Sequence, residues 1–511
     1  METYNIDYEI LDYDKFYQRL NNIYLNPNNE NIVQRHEPIG YTKCGFPIEH
    51  YSIGSGPMHI VYMGGAHGNE IIGVDYVTQL MNNIALGKGE FASFNPEQFT
   101  IDFIPCQNPE GFFTTTYALK SAMKDLKPEE IESFCKQYFQ LYREDDQNVI
   151  NINRLLRGFC EHFEIETVKD ELVRLFWQKS TEKDITPNYI SAFLITLFNI
   201  DKYSISTFIK DKWQELMPGK EIISKNKKHH EFFKDITINC IPEKDEAHKK
   251  LKMSLASLYA TGAFPMGTLA NFFSNASGVN LNDNNPYYFE ELKNKMVVFG
   301  DVYANLRDNN LLKTIPGPVG TPSEDMYGEF KYAPENEALL SFLAEQDENN
   351  QNYAFVNCHG TGGILYIYPV AEDDTLKAHT VGTTRDFKFF INSQLGQAYT
   401  ERTNEVYQEQ TGKENQGYKT VGFPDRITGV GDYLRKKYIA SFLLELSKMG
   451  GNPIAPYGDK EGNYFLTMTA NMSAANNLMQ RIKELAHLYD IDYTMNYDES
   501  GRVHYGIKNR R

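Results

Sequence analysis

His59-Ile-Val-Tyr-Met-Gly-Gly-Ala-His-Gly-Asn-Glu70 is the segment of this chain that says most about how it folds. Its apolar first half predicts a buried strand. The Gly-Gly pair predicts a turn after that strand, and this turn brings His67 and Glu70 to the start of a helix. Apolar residues on that helix recur at intervals of three or four, as one buried face requires: Val77, Leu80, Met81 and Ile84.

His67 and Glu70 can point at one cation, because they lie three residues apart beside the end of a strand. A histidine and a carboxylate that leave one coordination position open are the usual ligands of a catalytic zinc ion. The alternative is a surface histidine and a first-turn glutamate that the helix dipole favours. The pair alone does not distinguish these interpretations.

Length and composition are compatible with a large enzyme. A chain of 511 residues corresponds to roughly two to four domains, or to one large domain with an insertion. With 41% hydrophobic and 13% aromatic residues, it can form a substantial core, so global disorder is not expected. The net charge of −17 argues against a general nucleic-acid binder, since phosphate binding depends on clustered Lys and Arg.

The sequence predicts a cytoplasmic protein without a membrane partner. The N-terminus has no basic region followed by an apolar one, as a secretory signal would. No stretch approaches 18 uninterrupted apolar residues, so we expect no membrane span. The cysteines contain no C-x-x-C pair and are read as free thiols: residues 44, 106, 135, 160, 240 and 358.

Strand and helix signals alternate along most of the chain. They predict a helix at 14–24 and extended segments at 46–53, 58–63, 99–105, 296–299, 354–358 and 440–446. Between about 115 and 265 the signals are helical instead, at 128–139, 167–178, 189–198 and 248–259. This predicts an α/β fold with a mixed or mostly parallel sheet covered on both faces, and a helical insertion or subdomain at 115–265.

Three more motifs follow in order. Asn108-Pro-Glu-Gly111 is a turn directly after a strand, and by itself it is an ordinary surface turn. Tyr353-Ala-Phe-Val-Asn-Cys-His359 is a strand that presents His359 before a glycine turn, where a lone histidine is more often structural than a ligand. Glu445 interrupts the apolar strand at 440–446. Because charged residues are rarely buried unpaired, Glu445 either faces solvent at a sheet edge or lines a polar site.

Together these residues resemble the zinc carboxypeptidase family, the metallocarboxypeptidase or M14 class. The resemblance covers most of the chain outside the helical insertion, beginning with residues 13–20 and 39–54. It implies a three-layer α/β/α fold with a mixed, mostly parallel eight-stranded sheet, formed by residues 1–114 and 266–511. It also implies one zinc ion per chain, held by His67, Glu70 and His359, with Glu445 as the general base of peptide or amide hydrolysis.

The resemblance departs from the family at the substrate's terminal carboxylate. Asn69 lies where the family often has an arginine. The segment Gly278-Val-Asn-Leu-Asn282-Asp283 best matches the family's substrate-binding stretch, and it keeps Asn282 but has Asp283 in place of an arginine. The family's upstream arginine corresponds to Phe273. A competing match, Asn151-Ile-Asn-Arg154, keeps an Asn-Arg pair but lacks the Gly-Val lead-in.

These departures predict a substrate whose leaving side is neutral or cationic, such as an amidated, diamino-acid-containing or cell-wall-derived peptide. If Arg154 or Arg157 neutralises Asp283 instead, ordinary carboxypeptidase behaviour is restored. Tyr418 is the candidate for the phenol that closes over the substrate in many family members.

Two other functions stay open. Residues 64–70 also resemble the aspartoacylase and succinylglutamate desuccinylase relatives, which share the zinc triad and deacylate small N-acyl amino acids. The length of the chain and its peptidase-like N-terminal segments count against them. The second alternative is a zinc-stabilised or peptide-binding module without turnover. The identity of the peptide or small amide substrate, exo- or endopeptidase action and the oligomeric state are not indicated by the sequence.

Overall fold

The computed structural model describes only part of the chain, and every structural statement below concerns that part. The described residues are 4–166, 169, 172–173, 176–177, 180, 184–217, 222–223, 231–260, 266–282, 284, 332–349, 352–367, 384–414, 417–422, 440–450, 452–489, 491–497 and 503–509. The strand predicted at 296–299 and the candidate substrate-binding residue Asp283 lie outside them.

The centre of the fold is an eight-stranded mixed sheet in the order β1-β4-β6-β5-β9-β12-β10-β11. Strand β5 runs parallel to β6 and β9, β9 to β12, and β10 to β11, whereas the other three neighbouring pairs are antiparallel. The strands are, in chain order, β1 Val33–Arg35, β2 Gly40–Tyr41, β3 Pro47–Ile48, β4 Tyr51–Gly54, β5 Met58–Gly64, β6 Phe99–Ile104, β7 Asp184–Ile185, β8 Ile222–Ile223, β9 Asn352–Thr361, β10 Ile364–Ile367, β11 Lys419–Gly422, β12 Ala440–Ser447, β13 Ile491–Tyr497 and β14 Val503–Asn509.

Helices cover both faces of the sheet, so the predicted three-layer α/β/α architecture is confirmed. Helices α2, α9 and α10 pack on one face, and α8 packs on the other. The helices are α1 Tyr13–Tyr24, α2 Ile71–Ala85, α3 Pro109–Ala122, α4 Pro128–His162, α5 Pro187–Leu197, α6 Lys202–Leu216, α7 Glu246–Ala260, α8 Pro334–Asn349, α9 Thr384–Thr411 and α10 Leu466–Tyr489.

Alternation along β9 assigns its side chains to two different environments. Val356 and Cys358 belong to the main hydrophobic core beneath α2 and α9, whereas Phe355 packs with α8 on the other face. Successive strand residues point to opposite faces, so His359 lies on the side opposite Cys358. Cys358 is therefore a core residue, as its position in an apolar strand predicts.

Helix α2 differs from its predicted pattern. Every residue of α2 except Asn82 is buried, and not only the face that contains Leu80. The outer side is covered because the N-terminal segment lies across it: Asp7 N–H donates to Gln79 and Asn5 N–H donates to Asn83. The prediction of a single buried face is therefore wrong, because the covering segment is distant in sequence.

The helical region between the two halves of the sheet contains a hydrophobic cluster of its own. This second cluster runs from Ile152 in α4 through α5 and α6 to Met217. The first half of α4 and all of α7 instead contribute to the main core, for example Tyr138 and Leu251. The 115–265 boundaries stay a prediction, and the residues with a separate core form a narrower range.

Within the described residues, no helix is long and apolar enough to cross a lipid bilayer.

Candidate metal centre

His67 and Glu70 lie in the short loop that joins β5 to α2. Both are buried, with 8% and 6% of their surfaces exposed. Glu70 is the N-cap residue of α2, but its carboxylate makes no capping hydrogen bond. The surface-histidine and helix-dipole interpretation is therefore wrong, and the carboxylate is available to another partner.

His359 reaches the same place from β9. Strands β5 and β9 are parallel neighbours, so their carboxyl ends lie at one edge of the sheet. His359 Nδ1 is 2.7 Å from Glu70 Oε2, and His67 Nδ1 is 3.0 Å from Glu70 Oε1. The three residues each offer a ligand atom, and these atoms lie within 4.8 Å of one another.

The donor set fits a zinc ion. Ligand atoms about 2.0–2.2 Å from a tetrahedral zinc are about 3.3 Å apart, and the Glu70 oxygens lie 2.7 and 3.0 Å from the two histidine Nδ1 atoms. His67 Nδ1, which faces Glu70, is buried and forms no hydrogen bond to the described residues. Buried polar atoms without partners are rare and costly, and a bound cation would explain this arrangement.

The charge state of Glu70 suits the same interpretation. Burial alone would raise the pKa of its carboxyl group, but the neighbouring His67 and His359 outweigh burial and lower that pKa below its usual range. Glu70 is therefore a carboxylate at neutral pH, the form that binds metal ions.

The Asn108-Pro-Glu-Gly111 turn packs against the loop that contains His67 and Glu70. Asn108 accepts a hydrogen bond from Gly111 N–H at 2.9 Å and so caps α3, and its own amide donates to Ala66 O at 3.4 Å. A β-carbon at Gly68 would lie 2.2 Å from the Gly111 carbonyl carbon, so only glycine lets the two loops pack. Asn108 is fully buried, and the surface-turn interpretation is wrong.

Neutral groups lie beside His67. The Phe273 ring stacks on the imidazole with centroids 3.9 Å apart and stays 39% exposed. Gly68 N–H donates to Phe273 O at 3.0 Å. Asn69 donates from Nδ2 to Asn271 Oδ1 at 2.7 Å. A phenyl ring and a carboxamide thus occupy two positions where the family resemblance expects cations.

Glu445 lies on the strand next to His359. In the parallel pairing of β12 with β9, Glu445 is the direct partner of His359, so the two side chains project from the same face of the sheet. Strand β12 has a neighbour on each side, and Glu445 is half-buried. The solvent-edge alternative is therefore wrong, and a polar-site position is the one that agrees with the structure.

The remaining candidates lie elsewhere or outside the described residues. Asn282 is buried in a turn whose apolar side chains pack near the start of α8. The Tyr418 hydroxyl is fully buried, donates to Leu446 O and accepts from Asn471 Nδ2, so its position does not support a substrate-closing role. Arg154 and Arg157 are exposed on α4. The substrate roles of Asn282 and Asp283 stay predictions.

The sequence motifs did not identify two residues of the site, Asn452 and Asn271. Asn452 donates from Nδ2 to Glu70 Oε1 at 3.3 Å, and Asn271 accepts from Asn69. Asn452 belongs to Gly450-Gly-Asn-Pro453, directly after the Glu445 strand. Such a sequence predicts a turn, but nothing in it indicates a contact with Glu70.

No protein-family model and no curated protein matches this chain. Bovine thrombin-activatable fibrinolysis inhibitor, solved with a tick carboxypeptidase inhibitor, is 10% identical, with 93% of this chain and 98% of that chain covered and a TM-score of 0.41. Carboxypeptidase A from Helicoverpa armigera is 10% identical over 94% and 75%, with a TM-score of 0.40. A metallo-carboxypeptidase from Burkholderia cenocepacia is 10% identical over 93% and 70%, with a TM-score of 0.38.

Proposed function

We propose that this chain is a zinc-dependent hydrolase of peptide or amide bonds, with chemistry like that of metallocarboxypeptidases. The observation that carries the proposal is the buried group of His67, Glu70 and His359, in which the Nδ1 atoms of both histidines face the Glu70 carboxylate. The order and spacing of the sequence motifs, which resemble that family, support the same conclusion.

His67, Glu70 and His359 would hold the metal, and Glu445 would act beside it. A bound zinc ion with three protein ligands supplies an open position for water and lowers the pKa of that water toward neutrality. The Glu445 carboxylate takes the proton of the attacking water and passes it to the nitrogen of the departing amine. The support for this role is its direct pairing with His359, because paired residues of neighbouring strands project from the same face of a sheet.

The experiment is hydrolysis by zinc-loaded protein of a panel of peptides and N-acyl amino acids, with Glu445→Gln as the matched variant. We expect cleavage of peptides, and a loss in Glu445→Gln of about 100-fold or more in kcat with zinc retained. Preferred cleavage of N-acyl amino acids would identify a deacylase instead. Stoichiometric zinc without any hydrolysis would identify a binding module and reject the proposal.

For substrate choice, we propose a preference for leaving groups that are neutral or cationic. The support is the neutral character of Phe273 and Asn69 beside His67, together with Asp283 where the family resemblance expects an arginine. A free carboxylate brought close to Asp283 would meet like-charge repulsion.

Matched peptides that differ only in a free or amidated C-terminus test this preference. Wild type should cleave the amidated peptide faster, and Phe273→Arg or Asp283→Arg should shift the ratio toward the free acid. Phe273→Leu, which stays apolar, is the control and should leave the ratio unchanged. Faster cleavage of the free acid by wild type would refute the preference and make a cation such as Arg154 or Arg157 the subject of the next variants.

A further inference from the structure

The turn after β12 contacts the proposed metal centre through Asn452. The Asn452 side chain donates from Nδ2 to Glu70 Oε1 at 3.3 Å. The two Glu70 oxygens otherwise face His67 and His359. Asn452 is thus a neutral donor on the proposed carboxylate ligand, and it comes from a part of the chain that contains none of the three proposed ligands.

Asn452 is itself held from two sides. The buried Tyr138 hydroxyl of α4 donates to Asn452 O at 2.8 Å. On the other side, a β-carbon at Gly360 would lie 2.3 Å from Asn452 Oδ1. Only glycine directly after His359 therefore leaves room for the Asn452 carboxamide. The position of the donor is fixed by one helix and one strand of the main core.

A carboxylate ligand can rotate about its terminal bond and change the oxygen that it offers. Partners outside the coordination shell prevent this by occupying one lone pair, and their loss typically weakens metal binding about 10- to 100-fold. We infer that Asn452 is a positioning residue that fixes the Glu70 carboxylate for the metal, and that Tyr138 fixes Asn452. This inference rests on the proposed metal centre.

Zinc affinity, measured by competition with a chromophoric chelator, is the first readout. Asn452→Asp keeps the size of the side chain but replaces the donor by a second negative charge, and Asn452→Ala removes the side chain. We expect both to weaken zinc binding about 10- to 100-fold. Tyr138→Phe removes one oxygen and should weaken it by a smaller factor. Asn477→Ala, which loses a comparable hydrogen bond from a carboxamide to Ala398 O, should bind zinc like wild type.

The absorption spectrum of the Co²⁺-substituted protein is the second readout, because it reports ligand geometry and not stability. The spectrum should change in both Asn452 variants. It should stay unchanged in the control Tyr8→Phe, which loses the hydrogen bond from the Tyr8 hydroxyl to the backbone carbonyl of Tyr457. If Asn452→Ala does not fold, Asn452→Asp and Tyr138→Phe decide the matter.

Wild-type zinc affinity and an unchanged cobalt spectrum in Asn452→Asp would overturn the inference. The double variant His67→Ala/His359→Ala separates this from failure of the proposed function. If the double variant loses zinc while the Asn452 variants keep it, only the positioning role is rejected. If the double variant keeps stoichiometric zinc, the metal centre itself is elsewhere.

Discussion

His359 is the residue whose removal tests the metal centre most directly. It is 1% exposed, and it is the only one of the three proposed ligands that comes from the second half of the chain. Replacing it by alanine leaves two protein ligands, fewer than the three that catalytic zinc sites use. We therefore expect His359→Ala to lose most bound zinc, as measured by metal analysis after dialysis.

The exposed His162 at the end of α4 provides the matched control, and His162→Ala should keep one zinc ion per chain. Stoichiometric zinc in His359→Ala as well would mean that the buried histidine pair is structural.

Two buried glutamates supply a prediction about pH. Glu110 accepts from the backbone N–H groups of Cys44 and Ala276, while Glu335 accepts from Asn275 Nδ2 at 3.2–3.3 Å. Both carboxyl groups are fully buried. Burial, together with the negative charge of Glu110, raises the pKa of Glu335 from 4.5 to about 8.

The folded protein therefore keeps a proton on Glu335 that the unfolded chain loses above pH 4.5. Stability falls as the pH rises from about 4.5 to about 8, and this loss levels off above that range. Glutamine resembles the neutral acid and does not ionise, so Glu335→Gln should not show this fall in stability. The difference in the free energy of unfolding between Glu335→Gln and wild type, measured by urea denaturation, should therefore depend on pH. At pH 9 it should favour the variant by at least about 1 kcal/mol more than at pH 5.

Glu337→Gln, two residues along the same helix but exposed, should show no such pH-dependent difference. Equal pH profiles for Glu335→Gln and wild type would mean that Glu335 is ionised in the folded protein.

Residue types and spacing pointed to His67 and Glu70 as possible metal ligands, and the family resemblance added His359. His67 and Glu70 are three residues apart, and His359 ends a strand that the apolar pattern makes visible. The supporting asparagines could not be found in this way. Asn452 contacts Glu70 across 382 residues and Asn69 contacts Asn271 across 202, and no local pattern encodes such pairs.

Among the helices, the first turn of α3 has the greatest consequence for the site. Asn108 caps this helix and also contacts the backbone that leads to His67. Asn108→Ala should cost about 1–2 kcal/mol of stability, because an N-cap is lost, and it should also weaken zinc binding. Urea denaturation and chelator competition measure the two effects.

Thr186 caps α5 in the second cluster by accepting from Tyr189 N–H at 3.1 Å. Thr186→Ala should cost a similar amount of stability without changing zinc affinity. A loss of zinc affinity in both variants would point to general destabilisation and not to the Asn108 contact.

Sequence periodicity located the secondary structure better than it located what covers it. The predicted strand at 58–63 and helix at 14–24 correspond to β5 and α1. Helix α4 continues to His162, beyond the predicted 128–139, and its second half packs in the second cluster. Periodicity reports one face at a time, and so it could not show that one helix serves two cores.

At the scale of the whole molecule, the proposed metal joins two distant parts of the chain. Glu70 and His359 are 289 residues apart, and each lies on an element of the central core. A ligand that binds only the folded state adds stability, about 2.7 kcal/mol when its concentration is 100 times its Kd. Removing zinc with a chelator should therefore lower the thermal midpoint of wild type, as measured by calorimetry.

The same chelator should leave the midpoint of His67→Ala/His359→Ala unchanged. A wild-type midpoint that does not respond to zinc removal would contradict the site.

The order of the strands also affects aggregation. The two outer strands are short, with three residues in β1 and four in β11, whereas β9 has ten and β12 eight. Short edges with exposed polar side chains such as Arg35 give another chain little to pair with. Once the protein unfolds, however, the apolar β12 segment is uncovered, and Glu445 is its only charge. A charge within such a segment discourages intermolecular β-pairing, so Glu445→Gln removes a solubility safeguard along with the proposed base.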